Sequence, residues 1–413
     1  MIRKFLICVF FVCLVIFKAY SQEPPIEMSP ETALKIALSQ NGEIRSARLK
    51  YESSVYSVKS AGSLSNPQIT VSPTIAGEEG ADSVVEFTQK LEITGSRNAR
   101  KYQASAKSDE EKAYFLSVIN NVSLKTEEAY WELVKASFLL NYNQENFNYY
   151  ETLKNKIKKQ IELGALPAFH LSRADIELSK AKQDLHLSEF EFKRCNAELN
   201  KLLGFENGKE IKLICEIELF PDIDKDEMLE LALTQHPDIL TAKAKIKESK
   251  AQERIAKTSR LPDIELTARK SDWDSKGGAA ISLSFPLLDW GSVSNEIKSA
   301  QKQAQSEEEM LTFVTKNIKS DLDIAILEFE TSIKIINEYE KGLMDKAENI
   351  ANLSEKAYEK GAVGFLDLID ARRNFAQSRV QRIEAFVNGH KSLAKLKHSY
   401  ARFSAMEADY EKK

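Results

Sequence analysis

The sequence predicts a mostly α-helical chain with a small membrane β part, whose four strands close a barrel only when several copies pool them. Three observations predict this: the chain is written twice, four segments alternate apolar and polar residues at the length of membrane strands, and two long runs keep helical spacing without proline. Of 413 residues, 43% are apolar and 29% charged, with 15 Gly and 10 Pro, too few turn formers for an all-β or disordered chain. The balance of 58 basic against 62 acidic residues supplies no basic stripe and argues against nucleic acid as a partner.

Residues 1–21 read as a signal peptide. Arg3 and Lys4 precede the apolar run Phe5 to Phe17, and Ala19-Tyr20-Ser21 offers small residues for cleavage after Ser21. An uncleaved anchor is the alternative, but about 13 apolar residues fall short of the ~20 that cross a bilayer. A lipid anchor lacks its small residue, since Cys13 follows Val12 and Cys8 comes too early. Cleavage removes three basic residues and takes the formal charge from −4 to −7. Cys195 and Cys215 remain; an exported compartment permits a bond between them, and two isolated thiols serve equally as apolar filler.

The first copy spans 22–215 and the second 216–413. Thr32 to Ile44 (TALKIALSQNGEI) recurs as Glu227 to Ile239 (EMLELALTQHPDI), and Asn66-Pro67-Gln68-Ile69 meets Leu261-Pro262-Asp263-Ile264 at the same offset of 195. With small slips, Leu91 and Gly95 meet Leu287 and Gly291, and Gly164-Ala165 meets Gly361-Ala362. Each copy opens on a helix, 30–62 or 226–258, after Ser29 or Asp224, and Pro67 or Pro262 stops it.

A hairpin follows in each copy, 67–93 and 262–288. In the first, one strand carries Ile69, Val71, Pro73 and Ile75 on one face and the next Val85, Phe87, Leu91 and Ile93, broken by Gln89; in the second, one carries Ile264, Leu266 and Ala268 and the next Ala279, Ile281, Leu283, Phe285 and Leu287. The opposite faces carry Thr70, Ser72, Glu86, Thr88, Ser282 and Ser284. A half-buried soluble sheet accounts for the period of two. A tilted membrane strand accounts also for the length and for a second face polar enough to meet water. Four strands cannot close a barrel, and open edges leave N–H and C=O groups without partners in lipid. Two copies give eight strands, filled by side chains; three give twelve and leave an aqueous bore.

The long runs 96–163 and 292–360 can each be one helix of about 68 residues, ~100 Å at 1.5 Å per residue. In the second, Leu311, Val314, Ile318, Leu322, Ala325, Phe329, Ile333 and Ile336 mark a packed seam. Shorter helices, 169–203 and 365–403, follow the Gly-Ala turns. An isolated coiled coil explains the seam but not the strands.

Phe285 to Gly291 (FPLLDWG) closing the second hairpin, and Gly361 to Ala371 (GAVGFLDLIDA) after the second long helix, resemble the TolC-type outer-membrane efflux proteins. The resemblance covers essentially the whole mature chain in motif order and spacing. It implies a homotrimer with a twelve-stranded barrel among outer-membrane lipid in a Gram-negative bacterium, continued by a long α-helical barrel in the periplasm. It implies a periplasmic adaptor (membrane fusion) protein and an inner-membrane pump of RND type as partners. Gln89 to Arg97 (QKLEITGSR) is similar to the heavy-metal-cation, CzcC-like branch, while drug-efflux and type I secretion channels share the architecture. A non-conducting periplasmic coiled-coil adaptor is the reading of another class.

The resemblance places the periplasmic tip at the two turns, Gly164-Ala165 and Gly361-Ala362, and a channel gate at Asp367 and Asp370. Spaced by three, these acids share a helix face; threefold symmetry would aim six carboxylates at one axis and favour cations. Alternatively, two first-turn acids simply complement the helix dipole. His170 and Arg173 occupy the matching positions in the first copy and are read as a latch on acidic neighbours, with solvated surface residues as the alternative.

No catalytic signature appears, and neither enzyme activity nor a cofactor or bound metal is expected. His170, His186, His236, His390 and His398 form no ligand pair, and Gly204 to Lys209 falls one residue short of a phosphate loop and reads as a helix-ending turn. Asp222, Asp224 and Asp226 lack the glycine and glutamate of a calcium loop and are read as helix caps.

Overall fold

The computed structural model describes residues 26–73, 83–164, 166–205, 211–214, 220–271, 277–284 and 290–403. The expected signal peptide, Ala165, Cys215 and Phe285 lie outside them. The chain is mostly helical and forms two compact units, each assembled from three stretches: Met1–Ala37, Thr126–Pro221 and Glu338–Val387 make one, Leu38–Lys125, Asp222–Asn337 and Asn388–Lys413 the other.

In the first repeat, β1 (Ile26–Met28) leads into α1 (Pro30–Gln40) and α2 (Gly42–Ala61), then β2 (Gln68–Ser72), β3 (Val84–Leu91), α3 (Ser96–Glu162), α4 (Phe169–Leu203) and β4 (Ile211–Leu213). In the second, α5 (Lys225–Gln235) and α6 (Pro237–Thr258) precede β5 (Asp263–Ser271), β6 (Gly278–Ser284), α7 (Ser292–Glu338), α8 (Met344–Glu359) and α9 (Phe365–Ser399).

The opening helix of each repeat is two helices, where the apolar spacing suggested one. Asn41 breaks the first: its backbone is extended (φ −62°, ψ 127°), and its side-chain oxygen accepts from the N–H groups of Glu43 and Ile44. His236 breaks the second with the same backbone (φ −62°, ψ 129°), because Pro237 at the first position of α6 disfavours helical geometry in the residue before it. Apolar spacing persists across such a joint, so periodicity does not see it.

The second long run differs from the first. α3 is continuous from Ser96 to Glu162, whereas the expected helix 292–360 ends at Glu338, passes through a wide turn at Tyr339–Leu343 and resumes as α8. Gly342, the one glycine of that run, stands at φ +100°, a left-handed conformation that costs a side-chain-bearing residue most. The seam on α7 is present: Ile318, Leu322, Ala325 and Phe329 are buried.

The unit containing β1 is organised around Tyr130, Leu133, Leu199, Leu203 and Met28, all fully buried. Tyr130 donates its hydroxyl hydrogen to the carbonyl of Ile214 at 2.7 Å, tying the α3 core to the short parallel pair of β1 and β4. Gly204 ends α4 in the left-handed conformation (φ 74°), with the Phe205 N–H returning to the Asn200 carbonyl at 2.9 Å.

The other unit carries the sheet, an antiparallel meander in the order β2-β3-β5-β6. The two hairpins join through β3 and β5, in register from Val84 opposite Ser271 to Leu91 opposite Ile264. The sheet is open, with β2 and β6 as its edges.

A polar joint ties the sheet to the adjoining helices. Arg100 on α3 grips Glu92 with both terminal nitrogens, the second at 2.9 Å, and the Glu92 side chain is only 3% exposed. Arg97 donates to the Gly62 carbonyl at 2.6 Å, and Gln89 to that of Ser65 at 2.8 Å. Arg100→Ala leaves the Glu92 carboxylate buried without its cation and is expected to destabilise this unit by roughly 1–3 kcal/mol. A lowered melting temperature in detergent is the readout; an unchanged one contradicts the assignment.

Candidate functional site

Two regions gather the residues singled out above, one in each unit. In the sheet, register puts the apolar residues on a single face: Ile69 lies opposite Phe87, Val71 opposite Val85, Leu91 opposite Ile264, and Ile264 opposite Leu283. Leu266 pairs with Ile281 on that face, and Gln89, opposite Leu266, and Lys270, opposite Val85 at the far end of β5, are its polar interruptions. Among the described residues no helical layer covers these side chains: Ile69 is 69% exposed, Ile281 66%, Leu283 54% and Phe87 37%. Leu91 is intermediate.

The reverse face carries Thr70, Glu86, Thr88, Lys90, Glu265, Thr267, Arg269 and Ser282. Glu86 lies opposite Arg269 and Lys90 opposite Glu265, so opposite charges neighbour one another across the β3–β5 ladder. The result is a sheet with one exposed, mainly apolar face and one polar face, whose edge strands β2 and β6 have no further strand beside them among the described residues.

The second region lies at the Gly-Ala turns. Gly164 (φ 74°) and Gly361 (φ 73°) adopt the same left-handed conformation, and the Ala362 N–H closes its turn on the Ala357 carbonyl at 2.8 Å. Beyond it, Phe365, Leu368 and Ile369 are buried against Tyr150, Leu153, Ile157 and Ala174. That i, i+3, i+4 pattern turns the opposite side of α9 outward, and Leu366, Asp367 and Asp370 are exposed on it.

Asp367 also caps its own helix. Its Oδ2 accepts the Gly364 N–H at 2.9 Å, the backward reach of a capping box. Asp370 forms no ion pair among the described residues.

Among the described residues, His170 and Arg173 form no ion pair with an acidic side chain. The His170 ring stacks on Phe169 with centroids 4.2 Å apart and meets the Phe365 edge at 5.9 Å; its buried Nδ1 has no hydrogen-bond partner. The Arg173 guanidinium lies 5.1 Å from the Phe169 ring centre, so the aromatic ring takes the place of the expected carboxylate.

The ion pairs that do cross between helices here come from other residues. Arg372 reaches Glu355 and stacks 4.1 Å from the Tyr149 ring centre, joining α9, α8 and α3. Arg373 pairs with Glu177 of α4 at 2.6 Å, Lys154 with Asp175 at 2.7 Å, and Lys156 with Glu359 at 3.0 Å. Burial pushes the Tyr150 phenol up to about 12, so it stays neutral within the cluster. Periodicity offers no signal for these pairs, because each joins one helix to another and helical spacing reports only contacts within a helix.

Among the described residues no helix is long and apolar enough to cross a membrane, and no cluster of His, Cys, Asp and Glu could hold a metal ion. Cys195 is a buried free thiol, and burial raises its pKa to about 11.

The cobalt-zinc-cadmium resistance protein CzcC of Cupriavidus metallidurans is 18% identical over 364 residues, 88% of this chain and 87% of that one. The fold is similar to that of CusC, with a TM-score of 0.77 at 16% identity over 92% of this chain and 95% of that structure. It is also similar to the Campylobacter jejuni outer membrane channel CmeC, with a TM-score of 0.79 at 13% identity, 95% of this chain and 93% of that one. The model of the outer membrane efflux protein family matches residues 33–205 and again 228–410. The chain therefore belongs to the outer membrane efflux protein family.

Proposed function

We propose that this chain is the outer-membrane channel of a tripartite export system, a passive conduit from periplasm to exterior, and that its cargo is heavy-metal cations. Three copies pool their hairpins into a twelve-stranded barrel, and the long helices continue it as an α-helical barrel toward a periplasmic adaptor and an inner-membrane pump. Residues 1–21 direct export, and 22–215 and 216–413 are the two repeats of the mature protomer. The observation that carries this reading is the sheet, whose exposed, mainly apolar face suits lipid and whose two edges, unpaired among the described residues, require partner strands.

A second feature supports association with further copies. α7 exposes Met310, Phe313, Ile324, Leu327 and Ile335 along one side, away from its buried seam, and α4 exposes Phe169, Ile176, Leu187 and Phe190. Two apolar helix stripes left in water ask for helices of another copy. The metal cargo is supported by the likeness to CzcC, whose name records cobalt, zinc and cadmium resistance.

At the Gly-Ala turns, Asp367 and Asp370 from three copies form the acidic gate, and the interhelical pairs of Arg372 and Arg373 hold the surrounding helices closed.

Purified protein in a planar bilayer is expected to give stepwise conductance from trimers. A strain lacking the gene is expected to accumulate cobalt, zinc and cadmium and to lose tolerance of them. Silent bilayers overturn the channel; unchanged metal tolerance, with sensitivity to drugs or a retained secreted protein, overturns the cargo alone.

A further inference from the structure

The two repeats hold the same joint with chemically different caps. Asn41 and His236 occupy equivalent positions, each closing one helix and opening the next with nearly identical backbone angles. Asn41 caps α2 with an amide oxygen, which accepts the Glu43 N–H at 2.8 Å at any pH. His236 caps α6 with Nδ1, which accepts the Asp238 N–H at 3.3 Å, and an imidazole nitrogen accepts only while it carries no proton. The His236 backbone N–H returns to the Ala232 carbonyl at 3.2 Å, so this one residue links α5 to α6.

Burial favours the neutral form of His236, and two carboxylates nearby work against it. The residue is buried at 9% exposure, behind Pro237. From α9, His398 acts on it as a second imidazole; from α8's predecessor α7 comes Asp321, and from α6 itself Asp238, whose carboxylate lies 3.7 Å from Nδ1. α3 brings neutral amides: Asn121 Oδ1 lies 3.0 Å from His398 Nε2, and Asn120 donates to the His398 carbonyl at 3.0 Å.

We propose that His236 is an acid-sensitive cap, so that protonation opens the α5–α6 joint of the second repeat while the Asn41 joint of the first stays closed. The proton removes the acceptor for the Asp238 N–H and sets a cation against the positive end of the α6 dipole, beside a second histidine. Asp238 and Asp321 oppose this in part, attracting the imidazolium and setting how acid the solution must be. Burial holds both His236 and His398 below their ordinary value, in keeping with a site that favours the uncharged ring. Because the folded state prefers neutral histidine, the stabilisation is complete above the unfolded value of about 6.5 and drains away as pH falls toward the lower folded value. Acid therefore acts on one repeat of each protomer and not on the other.

Amide hydrogen exchange on the full-length protein in detergent tests this, with rates corrected for the intrinsic pH dependence. Between about pH 7.5 and about pH 5, the peptide following His236 is expected to lose protection by about tenfold or more, while the peptide following Asn41 keeps its own. His236→Asn, which copies the cap of the first repeat, is expected to abolish the pH step. Asp238→Asn, which withdraws a carboxylate from the imidazolium, is expected to move the step to lower pH. Equal protection of the His236 joint at both pH values, or an unaltered step in His236→Asn, overturns the proposal. Should His236→Asn fail to assemble, the comparison of the two wild-type peptides still decides it.

Discussion

Leu283→Arg and Phe87→Arg are each expected to abolish assembly in the outer membrane, whereas Ser282→Arg, one residue along β6 on the other face, is expected to assemble. The argument rests on the period of two. Leu283 is opposite Ile264 and shares the apolar face with Phe87, while Ser282 is opposite Glu265 on the polar face. An arginine on a lipid-facing site near the bilayer midplane costs roughly 2–4 kcal/mol, and a threefold barrel carries the substitution three times, about 6–12 kcal/mol in all. On the polar face the same side chain meets water and neighbouring carboxylates. Heat-resistant trimers seen on unheated gels separate the outcomes. Normal trimers from both Leu283→Arg and Phe87→Arg would refute the lipid-facing assignment and favour a soluble sheet, as a non-conducting adaptor would require.

Residues that speak locally and repeat were legible in the sequence, and residues that speak across the fold were not. The strand faces follow from alternation alone, because successive side chains of a strand have no choice but to point opposite ways. The turn glycines Gly164 and Gly361 are marked by their repetition, and Asp224 by its place before a helix, where its carboxylate accepts the N–H groups of Asp226 and Glu227. Gly342 was missed because a lone glycine costs a helix only ~1 kcal/mol and the apolar spacing runs on past it. The break at His236 did carry a signal in Pro237, which the apolar spacing across it masks. Arg372 and Arg373 could not be assigned partners, since Glu355 and Glu177 lie on other helices and many acids compete for each arginine. Phe169 is a local exception: next to His170 and one turn before Arg173 on α4, it contacts both, a pairing that charge alone does not suggest.

Asp370→Asn is expected to weaken cation preference and divalent-cation block in planar bilayers while leaving stability unchanged, and Asp367→Asn to do both less cleanly. The two acids differ in what holds them. Asp367 spends one oxygen on the Gly364 N–H; the amide oxygen of Asn can still accept that bond, but without the charge the cap at the positive helix end weakens by roughly 0.3–1 kcal/mol. Asp370 is exposed and without an ion pair among the described residues, so its substitution tests the field at the proposed axis with little structural cost. Three copies lose three of six carboxylates in either variant, and the double variant loses all of them, so selectivity should fall stepwise if the acids form one ring. The reversal potential under a salt gradient measures that fall, and the melting temperature reports the cap separately. A double variant with the wild-type reversal potential eliminates the ring and leaves Asp367 and Asp370 as helix-terminal acids, of which only the first has a structural task.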